Sequence, residues 1–220
     1  MSSDPRAQVL QSIRRALGAG VSRGAPPTAF ALIAPDTSSA SLGEMFCSEL
    51  RELAGTATII RDKLACASAI ETYVRARGIN SMAVQSSPLA LEIGLALRGF
   101  DVAPAKGRSA AELERVGCCL IDGLALLADT GSVLTVATSY EDRLLPYLPP
   151  TCVVVSEMAR LHASLSNVAL ACIDEAARAG ERGEGVIITG PSRSADIEKT
   201  LVLGAHGPAA LAVFIIATPT

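Results

Sequence analysis

From Leu42 onward, short apolar runs alternate with stretches that repeat at helical spacing, and no other feature narrows the fold as much. Runs of four to six β-branched and aliphatic residues between helices demand strands buried on both faces, which is the pattern of a mostly parallel sheet clothed by helices. The spacing predicts helices over Leu42–Leu53, Asp62–Arg77, Pro88–Leu97 and Ala110–Arg115. Strands are predicted at Ala57–Ile60, Met82–Gln85, Phe100–Ala103 and Val116–Ile121. Gly78 and Gly99 stand where helices end. The later part is richer in strands: Leu124–Ala128 and Val133–Ala137 flank a hairpin turn, followed by Cys152–Val155, Val186–Thr189, Leu201–Leu203 and Leu211–Ala217. A long helix over Glu157–Ala179 is expected from the stripe Met158, Leu161, Leu165, Val168 and Cys172. The architecture these elements predict is a three-layer α/β/α sandwich, mostly parallel with some antiparallel strands.

At 220 residues the chain suits one ordinary domain. A short helix with the apolar positions Leu10, Ile13 and Leu17 precedes a Gly-, Pro- and Ser-rich stretch over Ala19–Ser41, so residues 1–41 read as a helix plus linker and 42–220 as the domain. Half of the residues are hydrophobic but only 3% are aromatic and none is Trp, so Ala, Leu, Val and Ile carry the packing. With 19 basic against 22 acidic residues, a net charge of −3, the chain lacks the basic face that nucleic acid requires. The most apolar stretch, Val116–Thr138, is interrupted by Asp122, Asp129 and Gly131, against a membrane span. No secretory signal is read at Ser2–Arg6, and a cytoplasmic location is expected. Six cysteines form no Cys-x-x-Cys pair, so they read as core residues and no cofactor is indicated in this chain.

Three glycine-containing turns offer chemistry. In Ala128-Asp129-Thr130-Gly131-Ser132, Gly131 suits a tight turn, and a carboxylate, two hydroxyls and free amides gather in one place. The stretch serves equally as a purely structural hairpin. Gly190-Pro191-Ser192-Arg193-Ser194-Ala195-Asp196 follows a predicted strand, and Pro191 suits the first turn of a helix whose amides would favour an anion. Arg193 adds a planar fork for a carboxylate or phosphate. Its structural alternative is a helix cap with an Arg–Asp surface pair. Gly204-Ala205-His206-Gly207-Pro208 leaves the His206 imidazole reachable, in the pH range of a general base, or merely solvated. His162, on the flank of the expected long helix, reads as structural. No Walker loop, Rossmann glycine fingerprint or nucleophile elbow is present.

Taken in this order, these stretches, with Leu144–Val155 around Leu-Pro-Pro, resemble the lactate-utilization protein C family of LUD-domain proteins across roughly residues 42–217. The pairing of Gly-Pro-Ser-Arg-Ser-Ala-Asp-Ile-Glu with Gly-Ala-His-Gly-Pro carries most of the likeness. The resemblance implies a fold similar to the sugar-phosphate isomerase and coenzyme A transferase group. It also implies a part in oxidising L-lactate to pyruvate beside partner proteins that carry iron–sulfur clusters. One departure is that Thr151-Cys152 follows the prolines where many relatives place a His. On this reading His206, Asp129 and Asp196 are candidate catalytic residues, and Thr130, Gly131, Ser132, Gly190, Pro191, Ser192, Arg193 and Gly207 are candidates for holding lactate or pyruvate. A non-catalytic assembly factor and a stand-alone transferase- or isomerase-like enzyme are the alternatives.

Overall fold

The computed structural model describes residues 5–16, 39–165, 184–194, 202–204 and 206–217. The chain divides into a unit spanning Met1–Ala31 and another spanning Leu32–Thr220. In the first, helix α1 (Pro5–Ala16) begins on a proline, and its Val9 and Leu10 are exposed. The second holds every other element.

Its centre is a six-stranded, wholly parallel sheet of order β1-β12-β7-β4-β2-β3. The strands are β1 (Thr56–Ile60), β2 (Ser81–Val84), β3 (Asp101–Pro104), β4 (Cys118–Asp122), β7 (Thr151–Glu157) and β12 (Ala210–Ile216). The chain lays β1 at one edge, crosses to place β2 and β3 at the other, and returns through β4, β7 and β12 to close beside β1. Strands buried on both faces need apolar residues at consecutive positions, and Val153-Val154-Val155 and Leu211–Ile216 meet that demand.

Alternate side chains divide between two cores. Cys118, Leu120, Val153, Val155 and Phe214 pack against α3 (Lys63–Arg75) and α4 (Pro88–Ala96). Cys119, Ile121, Cys152, Val154 and Ile215 pack on the opposite face, where Phe46 and Leu50 of α2 (Ser39–Glu52) meet Leu113 of α5 (Ala110–Arg115). That face is shared with a second sheet of order β8-β5-β6-β9, formed by β5 (Ala125–Leu127), β6 (Ser132–Ala137), β8 (Leu161–His162) and β9 (Glu184–Ile188). The antiparallel strands expected from the sequence are therefore segregated into a layer of their own, and helices alone do not cover this face.

Local chemistry sets the helix starts. Asp62 caps α3 through the Ala65 amide, Ser87 caps α4 with Pro88 in its first turn, and Ser109 with Glu112 forms a reciprocal box at α5. Gly78 and Gly99 take positive φ after their helices, as the sequence predicts.

Two expectations fail. The long helix does not begin at Glu157: β7 runs through that residue, Met158–Arg160 is a 3-10 turn, and Leu161–His162 pairs with β5. Leu161 and Met158 are drawn onto the core by the second sheet, a pull invisible to helical periodicity. Val168, Cys172 and the rest of that expected helix lie outside the described residues. Ser39–Ser41, expected in the linker, also already belong to α2.

Candidate functional site

The three turns singled out in the sequence converge, though by routes the sequence does not reveal. The β5–β6 hairpin carries Asp129–Gly131, and β6 pairs antiparallel with β9, so Ser132 meets Thr189 with hydroxyl oxygens 2.8 Å apart. Gly131, at φ 59°, lies directly on the backbone of α2: a Cβ there would stand 2.5 Å from the Leu50 amide nitrogen. Gly190, at φ 93°, approaches Leu53 at the end of the same helix. Both glycines are thus required where α2 seats itself on the hairpin.

Beyond Gly190 no helix follows at once. Arg193–Ser194 is a short strand, β10, antiparallel to β11 (Val202–Leu203), so the helix start expected at Pro191 is replaced by a β-ribbon. The Ser192 amide donates to the Pro208 carbonyl at 2.8 Å, and the Ser192 carbonyl accepts from the Gly204 amide at 2.9 Å. These bonds bring the Arg193 strand against the His206 loop, with Gly207 packed on Ser192. Pro191 is buried, while Arg193, His206, Asp129 and Thr130 are exposed. Asp196 lies outside the described residues. His162 sits on β8, half-buried, and burial lowers its pKa.

The Ala209 amide bonds to the Pro150 carbonyl just before β12 and β7 begin in register at Ala210 and Thr151. The gathered turns therefore occupy the amino edge of the parallel sheet. In open α/β sheets, ligands favour the opposite edge, at the point where successive strands leave in opposite directions. Here that point lies between β2 and β4. After β2 the chain enters α4 on one face, and after β4 it enters the β5–β6 hairpin on the other.

A cleft of about 190 Å³ opens there, lined by Gln85, Ser86, Ser87, Pro88, Asp122, Leu124, Val136, Thr138 and Asp142. Gln85, nearly buried, ties its walls together. Its Oε1 accepts from the Asp122 amide at 2.7 Å, and its Nε2 donates to the Val136 carbonyl at 2.8 Å, joining both sheets. Asp142, in helix α6 (Tyr140–Leu144), accepts from the Ser86 amide at 3.1 Å. Asp122 ends β4, and its Oδ1 accepts from Arg160 Nη1 at 2.6 Å. Arg160 also donates to the Gly123 carbonyl at 3.3 Å and stands 3.9 Å from Glu157. Burial pushes the Asp122 carboxyl above the usual carboxylate range, while Arg160 and the Ser87 hydroxyl pull the other way.

None of these cleft residues was singled out by sequence reasoning. Met82–Gln85 followed by a helix from Pro88 did announce a strand-to-helix turn. Asp122 read only as an interruption of an apolar run, and Arg160 was hidden inside the expected helix. The gathered turns and the cleft lie at opposite ends of strands five to seven residues long, ~17–23 Å apart.

Four of the described cysteines behave as core residues, while Cys47 of α2 is half-buried. Cys66, Cys118, Cys119 and Cys152 are buried thiols, and burial pushes Cys66 up to about 12. Among the described residues no group of three or more His, Cys, Asp or Glu side chains gathers as a metal site would require, and no helix is long and apolar enough to cross a membrane.

Known proteins match this arrangement. The LUD domain model matches residues 44–216. Lactate utilization protein C of Geobacillus thermodenitrificans (strain NG80-2) is 31% identical over 166 residues, covering 68% of each chain. The protein of the same name from Geobacillus kaustophilus (strain HTA426) is 29% identical over 165 residues, with the same coverage. A DUF162 family protein from Deinococcus radiodurans superposes with a TM-score of 0.59 over 83% of this chain and all of its own, at 18% identity, which speaks for the fold. The chain belongs to the LUD-domain family, within the group of lactate utilization protein C.

Proposed function

We propose that this protein is a cytoplasmic, cluster-free component of a 2-hydroxy acid utilization system, and that it holds the small acid in the cleft between β2 and β4. Partner proteins bearing iron–sulfur clusters would receive the electrons. The observation that carries the site is the cleft itself: a recess at the switch point where polar side chains meet apolar walls, too small for the drug-sized ligands of pockets of ~300–1,000 Å³ and suited to a few heavy atoms. Asp122 and Asp142 can accept from a substrate hydroxyl, and the Ser87 and Thr138 hydroxyls can donate to its carboxylate.

A second reading places the acid on the gathered turns, with Arg193 holding the carboxylate, His206 as the base, Asp129 or Asp196 orienting it, and Thr130, Gly131, Ser132, Gly190, Pro191 and Gly207 shaping the site. It is favoured by the paired backbone bonds of Ser192, which fix the Arg193 and His206 segments against each other.

Thermal melting of the full chain with L-lactate, pyruvate, coenzyme A and sugar phosphates separates these readings, because a ligand of the folded state raises Tm by mass action. Thr138→Trp fills the mouth of the cleft from an exposed position. A rise with lactate or pyruvate that Thr138→Trp abolishes and Arg193→Ala preserves supports the cleft. The reverse pattern moves the acid to the turns. A rise only with coenzyme A or sugar phosphates favours a transferase- or isomerase-like enzyme, and none at all favours an assembly factor.

A further inference from the structure

Asp122 stands between partners on every side. Arg160, from the turn after β7, meets it at 2.6 Å. Glu157, at the end of β7, shares that guanidinium from 3.9 Å, and the Ser87 hydroxyl approaches from the start of α4. Gln85 of β2 holds the Asp122 amide, and Asp142 of α6 lines the same cleft. The lining therefore offers two carboxylates to a ligand that itself carries one. With only about 190 Å³ between the walls, their charges cannot be kept a Debye length apart, and low-dielectric surroundings strengthen the repulsion. Because the Arg160 cation already pairs with Asp122, an ionised acid adds an uncompensated charge, and its entry is favoured if one negative charge is removed as it enters.

We infer that the cleft takes up its acid together with one proton from solvent, that Asp122 receives this proton, and that Arg160 is its positioning residue. The inference rests on the reading that the acid occupies the cleft. The geometry distinguishes the two carboxylates. Asp142 is built into the frame: its Oδ1 holds the Ser86 amide, and its own amide is capped by Ser139. When Asp122 is protonated, Arg160 keeps the Gly123 carbonyl and Glu157, so no cation is left bare. Burial already favours the neutral form of Asp122. A ligand carboxylate adds a like charge, which pushes in the same direction. Once protonated, Asp122 is a hydrogen-bond donor aimed at the newcomer, so the group that repelled the anion becomes one that holds it.

The test is calorimetric titration of L-lactate and of pyruvate into the full chain, in phosphate and in Tris buffer, between pH 5 and pH 8. The two buffers differ in ionisation enthalpy, so the difference in heat counts protons and needs no variant. The expected result is uptake approaching one proton per acid bound at pH 7–8, with affinity falling about tenfold per pH unit above the Asp122 pKa of the free protein. Asp122→Asn should bind with an affinity independent of pH and without proton uptake. Arg160→Gln removes the cation that favours ionised Asp122 and should move the midpoint of the pH profile upward, a change that mere loosening of the cleft does not produce. Binding without proton uptake, or uptake retained in Asp122→Asn, overturns the inference and leaves the cleft reading standing. No binding of either acid overturns both.

Discussion

Gly131 allows the packing logic to be tested apart from any ligand. It holds φ 59°, and an added Cβ would meet the Leu50 nitrogen at 2.5 Å, the Leu50 Cα at 2.8 Å and the Glu49 carbonyl carbon at 2.9 Å. All three are main-chain atoms of α2 and cannot rotate away. Gly131→Ala therefore carries a left-handed backbone cost of about 1–2 kcal/mol. Displacing α2 adds an overpacking cost of about 1–3 kcal/mol. The sum, about 2–5 kcal/mol, is large beside the ~5–15 kcal/mol that typically separates folded from unfolded chains. Gly78 supplies the control: its φ is 67°, but nothing lies within 4 Å of its added Cβ. Gly78→Ala should thus show the backbone cost alone, about 1–2 kcal/mol. At roughly 2–4 °C of Tm per kcal/mol for a chain of this size, thermal and urea unfolding resolve the two variants. If Gly131→Ala is no more destabilised than Gly78→Ala, α2 does not rest on the hairpin as described. Were it also to lose acid binding while keeping its Tm, the turn would be a ligand site and its glycine would serve the ligand.

Gln85→Leu keeps volume but strands the Asp122 amide and the Val136 carbonyl, at about 1–3 kcal/mol for each group that water does not reach. The urea midpoint should fall with an unchanged slope, and an unaltered midpoint would deny that Gln85 joins the two sheets. Asp62 supplies a pH dependence whose sign is set by its partners: the Ala65 amide and Arg61 hold its pKa below the usual aspartate value. A carboxylate with a lowered folded pKa stabilises above its unfolded value, and that contribution disappears as pH falls through the folded one. Wild type should therefore melt above Asp62→Ala at neutral pH, with the gap closing in acid. A gap that stays constant down to pH 2 would refute the cap.

How much was legible in the sequence depended on how local each cause is. The α3 and α4 starts were readable because Asp62 and Pro88 act within one turn. The hairpin around Asp129–Ser132 was readable because Gly131 must take a positive φ there. Met158–Leu165 was misread because Met158 and Leu161 are apolar at helical spacing, while pairing with β5, more than thirty positions away, makes Leu161–His162 a strand. The helix expected at Pro191 failed for the same reason, since β11 draws Arg193 and Ser194 into a ribbon. Family likeness pointed to the turns because their glycines are distinctive as text. The cleft residues Gln85, Asp122 and Asp142, and the Arg160 that pairs with Asp122, are common types scattered over some seventy-five positions, with no motif to unite them.

By itself, then, the sequence determined the α/β class, the alternation of elements, the burial of Cys66, Cys118, Cys119 and Cys152 and the family, because these follow from apolar spacing and from contacts within a few residues. Strand order, the segregation of the antiparallel strands, the seating of α2 on Gly131 and Gly190, and the cleft were decided only by the tertiary structure. Each depends on distant segments meeting across the sheet. The return of β4 to the other side of β2 places Asp122 beside Gln85 and opens the space between them, and no local propensity encodes that crossing.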